Sequence, residues 1–134
     1  GAAYIFDFSG SAWVQSAYLK STSPTTEDNF GDRVRIFGDT IVASKSFDDS
    51  MLSNAGSVVL FQRDSSSWTQ QTILLSSLPV AEEEFGRRLE FDGTTLIVST
   101  PKQDSDFSGV TTTLSNTDIQ NSGATDSGAA YIFE

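Results

Sequence analysis

Phe30-Gly31 recurs as Phe85-Gly86, a spacing of 85 − 30 = 55 residues. Trp13 returns as Trp68 and Pro24 as Pro79 at the same spacing. Laid without a gap, residues 1–50 and 56–105 agree at 17 positions, where average composition gives about three by chance. A period of this length marks stacked supersecondary units, each unable to bury its apolar face alone. Beyond Ser105 the register breaks. Gly1-Ala-Ala-Tyr-Ile-Phe6 returns verbatim as Gly128-Ala-Ala-Tyr-Ile-Phe133, but 128 − 56 = 72. The second unit therefore carries 72 − 55 = 17 extra residues before that strand.

Each unit reads as four short strands rich in β-branched and aromatic side chains. Strand one is predicted over 33–37 and 89–91, and strand two over 40–44 and 95–99. Strand three is predicted over 2–6, 57–62 and 129–133. Strand four is predicted over 13–19 and 68–75. Gly38-Asp39 and Asp92-Gly93 supply the positive-φ positions of tight hairpins between strands one and two. No segment carries helical periodicity. The fold class is all-β. Four short antiparallel strands repeated radially is the plan of a β-propeller blade. About two blades are present, incomplete at both ends: residues 1–20 give the last two strands of a preceding blade, 30–75 a full blade, and 85–134 a three-stranded second blade with a long loop over 100–127. The chain begins at Gly1 within an expected strand and has Met51 as its sole methionine. It is expected to be a processed product or an excerpt of something longer.

Composition narrows the function. Eight Lys+Arg against 18 Asp+Glu leave a net charge of −10, which argues against nucleic acid or an anionic membrane surface as partner. The chain has no His and no Cys. That excludes His-dependent triads, cysteine nucleophiles, disulfides and zinc sites built on those residues. No apolar run approaches the ~18 residues of a membrane-spanning helix.

The combination of Asn29-Phe30-Gly31, Gly38-Asp39-Thr40-Ile41-Val42, Asp49-Ser50, Gly56–Phe61 and the Trp-led strand at Trp68 resembles FG-GAP repeats. These build the propeller of integrin α subunits and occur in microbial surface proteins. The second unit repeats the pattern with Phe85-Gly86, Gly93–Val98, Asp104-Ser105 and Gly128–Phe133. Two departures stand out. The Gly-Ala-Pro position reads Ser44-Lys45-Ser46 and Ser99-Thr100-Pro101. The long Asp-x-Asp-x-Asp-Gly calcium loop of integrin repeats is replaced by short turns with one carboxylate each, against the six or more oxygens that Ca²⁺ takes. The likeness is closer to the short-turn repeats of secreted microbial proteins.

The resemblance implies a structural role for Phe30, Gly31, Phe85 and Gly86, and recurrence at equal phase gives Trp13 and Trp68 a role in packing between blades. Burial is expected for Phe6, Phe30, Val42, Phe61, Phe85, Ile97 and Phe133. No catalytic residue and no cofactor is expected. Ca²⁺ is the one ion that loop carboxylates such as Asp48, Asp49, Asp104, Asp106 and Asp126 suit; the competing reading, extended to Asp118, is a solvated acidic rim or turn caps. Glu82-Glu83-Glu84 reads as a solvated charge run. The loop over 100–127, with Phe107, Val110, Leu114 and Ile119 as its large apolar residues, is long enough to be a binding element or a mobile insertion. The expected function is an extracellular or cell-surface interaction or structural module, part of a larger propeller, surface assembly or filament. Its expected partners are protein, including other copies of itself or the rest of a longer chain, or glycan. The alternative is a fragment of a carbohydrate-active propeller enzyme.

Overall fold

A computed structural model describes residues 1–113 and 122–134. Leu114, Asp118 and Ile119 lie outside the described residues. The elements are β1 (Ala3–Phe8), β2 (Trp13–Leu19), β3 (Val34–Phe37), β4 (Thr40–Lys45), β5 (Ser57–Asp64), β6 (Ser67–Leu74), β7 (Arg88–Phe91), β8 (Leu96–Thr100) and β9 (Ala129–Phe133). No helix occurs among the described residues. The strands form three antiparallel sheets in chain order: β1-β2, β3-β4-β5-β6 and β7-β8-β9. The sheets hold two, four and three strands, and the strand boundaries lie within two residues of the expected ones. The second hairpin is longer than expected: β8 starts at Leu96, and Asp92 caps the loop by accepting the Thr94 and Thr95 amides at 3.0 and 2.8 Å.

Alternation along the central strands feeds two cores, one on each face of the central sheet. Ile41, Ala43, Val59 and Phe61 point to one face and pack with Leu19, Phe30, Ala3 and Ile5. Val42, Val58 and Leu60 point to the other and pack with Phe85, Leu89, Leu96, Val98, Tyr131 and Phe133. Both faces of the middle unit are covered, which is how its near-continuous apolar strands avoid water. The β1-β2 and β5-β6 hairpins carry a register shift at the same repeat position, between Ile5 and Phe6 and between Leu60 and Phe61. The repeat therefore extends to backbone irregularities.

The Phe-Gly pair works as a joint between units. Phe30 is 5% exposed and Phe85 fully buried, one in each core. Gly31 and Gly86 sit at φ +86° and +95°, where a side chain is strained. Their amides donate to the carbonyls of Ser44 (2.9 Å) and Ser99 (3.1 Å). A Cβ on Gly31 would lie 2.9 Å from the Ala2 carbonyl oxygen. The connection into the second unit is stitched to the end of the first: the amides of Glu82, Glu84 and Phe85 donate to the carbonyls of Ser53, Asn54 and Ala55.

Several burial expectations need correction. Phe6 and Ile97 are 50% and 44% exposed, Phe133 is half-buried, and Trp13 is 69% exposed. Phe6 and Trp13 occupy the repeat positions of Phe61 and Trp68, which pack on the first core. In β1-β2 those positions face away from the central sheet. Ile97 likewise occupies the position of the fully buried Val42, on the outer face of the last sheet. Repeat phase sets the face to which a side chain points, and none of the three described sheets covers these positions.

Candidate functional site

The candidate carboxylates separate into different environments. Asp48 is 1% exposed and does not belong to a solvated rim. Its Oδ1 lies 3.1 Å from the Lys45 ammonium, and its Oδ2 accepts the Ser57 hydroxyl. Burial pushes the Asp48 carboxyl up, but hydrogen bonds from Ser57, Ser50 and Lys45 outweigh it and hold the group below its ordinary value. Asp49 caps a turn by accepting the Asn54 amide at 2.6 Å. Asp104 and Asp126 belong to a clasp at the base of the long loop: the Asp126 amide donates to Asp104 Oδ1 at 2.9 Å, and the Gly128 amide to the Gln103 carbonyl at 2.9 Å. The Asp106 carboxylate packs against Gly123. Among the described residues no group of three or more Asp or Glu converges in a metal-binding arrangement.

Lys45 is the largest fully buried side chain. Its ammonium lies 3.1 Å from Asp28 Oδ2 as well as from Asp48, and it donates to the Ser23 carbonyl at 3.3 Å. Asp28 in turn accepts the Thr25 amide and hydroxyl. Fifty-five residues on, the corresponding positions are Thr100, Glu83 and Gln103. Here no lysine enters. Glu83 is 1% exposed; its Oε1 accepts the Ser76 hydroxyl and the Val80 amide (3.1 Å), and its Oε2 finds no partner. Burial pushes the Glu83 carboxyl above its ordinary value, opposed by hydrogen bonds from Ser76, Val80 and Thr100. The solvated reading of 82–84 holds for Glu82, whose carboxylate takes the Asn54 and Ser53 side chains. It fails for Glu83 and for Glu84, which is 6% exposed and bound to Lys102 at 2.6 Å. A charge run was legible, but burial of a connection between packed sheets was not. The buried Lys45, Asp28 and Glu83 were not picked out from sequence; their phase in the repeat was the available signal.

The outer face of β1-β2 exposes a cluster of aromatic side chains. Tyr4, Phe6, Phe8, Trp13 and Tyr18 are each half or more exposed. Tyr4 stacks edge-on with Tyr18 at 5.3 Å and Phe8 tilts onto Trp13 at 5.4 Å. Cross-strand aromatic pairs of this kind stabilise a hairpin, yet leave the sheet's apolar face in water. Along β1, between it and β3, lies a cleft of about 320 Å³ whose lining includes Tyr4, Ile5, Phe6, Leu19, Val34 and Ile36. Among the described residues β1 pairs with β2 alone, and its other edge borders the cleft. Large exposed apolar patches mark interaction surfaces. Trp68, by contrast, packs on the first core with Arg63 over its ring at 5.2 Å.

No curated protein and no solved structure matches the chain. Residues 13–61 match the family model described as FG-GAP repeat. That span runs from Trp13 through the Phe30-Gly31 joint to Phe61, so it crosses from the first sheet into the central one. Residues 13–61 are thus similar to an FG-GAP repeat.

Proposed function

We propose that the chain is an interaction or structural repeat module of the cell exterior, its sheets serving as blades of a larger β-propeller or surface assembly. Binding of protein or glycan through loops and sheet faces is its role, and no chemistry is assigned to it. One observation carries this reading: the end sheets present to solvent the same repeat positions that the central sheet buries. Phe6 and Trp13 stand where Phe61 and Trp68 pack, and Ile97 where Val42 packs. A sheet that buries one face and exposes the other in aromatic residues is built to meet another sheet. The long loop, tied at its base by Asp104, Gln103 and Ser127, is the second surface this reading assigns to recognition. Sedimentation at micromolar concentration tests the proposal. Association of the chain is expected. A compact, cooperatively folded monomer over the whole concentration range would overturn it.

A further inference from the structure

We propose that the free edge of β1 accepts the β7-β8 hairpin of a second copy, displacing that copy's β9 by strand exchange. The inference rests on the reading above and names the partner: another molecule of this chain. Three observations carry it. First, β9 and β1 share one sequence, residues 1–6 being identical to 128–133. Whatever holds β9 against β8 holds β1 equally well. Second, the two available pairings predict one register. The β8–β9 ladder sets Leu96 opposite Phe133, Ile97 opposite Ile132 and Val98 opposite Tyr131. By the identity these become Phe6, Ile5 and Tyr4 of the second copy. The β4–β5 ladder sets Ile41 opposite Phe61 and Val42 opposite Leu60. Moved by one repeat, it gives Leu96 opposite Phe6 and Ile97 opposite Ile5 again. Third, the apolar cleft between β1 and β3 lies along the edge where such a hairpin would enter.

The exchange costs little and gains a strand. The β8–β9 contacts are replaced in kind by β8–β1 contacts. In addition β2 arrives with β1, so a three-stranded sheet becomes four-stranded, in the order seen for β3-β4-β5-β6. Tyr4 and Phe6 then take the places of Tyr131 and Phe133 in the second core, and the outer aromatic face leaves water. Exposed strand edges recruit strands in this way. Each copy has one accepting edge and one donated hairpin, so the contact is head-to-tail and generates a ring or an open filament. Each copy contributes two complete four-stranded sheets. Propellers close with about 4–8 blades, so a closed ring would hold about two to four copies.

The chain contains no cysteine, so disulfide trapping reads the exchange directly. Two double variants are compared with the unaltered chain, Ile5→Cys with Ile97→Cys, and Ile97→Cys with Ile132→Cys. Ile97 and Ile132 are 44% and 63% exposed, so the second variant tolerates substitution. In a single molecule β1 and β8 lie on opposite sides of the central sheet, so a bond between positions 5 and 97 links two molecules. The expected result is a ladder of linked species from the first variant on a non-reducing gel. Oxidation of the second should lock β9 in place and return a monomer of 14.4 kDa, and reduction should restore assembly. Assembly that persists in the locked, oxidised protein, with no link between positions 5 and 97, would overturn strand exchange while leaving the interaction reading intact. A monomer in every sample, the unaltered chain included, would overturn both.

Discussion

Replacing Lys45 tests how the central unit tolerates a charge in its interior. Its ammonium is 1% exposed and sits 3.1 Å from both Asp28 and Asp48, themselves 3% and 1% exposed. Lys45→Met keeps the length of the stem and removes the charge, leaving two buried carboxylates without their cation. Breaking a buried pair from one side costs about 3–5 kcal/mol, and with two carboxylates orphaned the upper part of that range is expected. Lys45→Ala adds a cavity and should cost more. The assay is urea unfolding followed by the fluorescence of Trp13 and Trp68, at matched protein concentration because association shifts apparent stability. The pH dependence supplies a control. Asp48 is held below its ordinary value, so its contribution is present above that value and is lost as pH falls through the folded one. The cost of Lys45→Met should therefore shrink towards pH 3. A loss below about 1 kcal/mol at pH 7, against the range for broken buried pairs, would refute the reasoning. So would a loss that stays constant to acid pH.

Phe85→Ala should cost about 3–5 kcal/mol, since a fully buried phenyl ring at the joint leaves a cavity in the second core; denaturant midpoints read it. Gly31→Ala should destabilise by more than about 1 kcal/mol, because φ is +86° and the new Cβ meets a backbone oxygen. Glu83→Gln should stabilise the protein at neutral pH. The raised value of Glu83 means that its contribution is full below the ordinary carboxyl range and is lost as pH rises through the folded value. The difference between variant and parent should therefore grow from pH 4 to pH 8 in urea titrations, and a difference independent of pH would contradict the burial argument. Trp13→Ala should cost the unassociated chain only about 0.2–1 kcal/mol, the worth of its cross-strand pairing with Phe8, since the ring is otherwise exposed; denaturant midpoints read it.

Strand existence and order were legible because the repeat tests each segment twice. Trp13–Leu19 and Ala129–Phe133 match their expected bounds, and the two hairpin turns were marked by Gly38 and Gly93. What failed was the environment of individual side chains. Phe6 and Phe61 are the same residue at the same phase, yet one is half exposed and the other 3% exposed. Local pattern states which way a side chain points, while burial depends on the sheet opposite. The acidic residues failed for the converse reason. Asp48 and Glu83 look like surface residues by type, and only the packing of two sheets over the connections puts them inside. The positive φ of Glu27, Asn29, Glu82 and Glu84 was equally hidden, since these residue types do not announce it at both positions. It recurs at the repeat spacing, so an alignment of the two units carries the hint.

The two polar plugs have a consequence for how such a chain diverges. The first unit joins Lys45 to Asp28 and Asp48; in the second the Thr100 hydroxyl donates to the Glu83 carbonyl, and Gln103 stands at the Asp48 position. Stepwise change meets a valley when the lysine goes first, because Asp28 and Asp48 then lose their cation, whereas losing the Asp48 carboxylate first leaves the Lys45–Asp28 pair in place. Copying a whole segment from one unit to the other avoids that valley, because all three positions lie between residues 28 and 48 of the first unit. Duplicated units of this kind should therefore exchange their interiors in blocks, by recombination in register, or stepwise with the carboxylate going before the lysine, while their outer strands drift residue by residue.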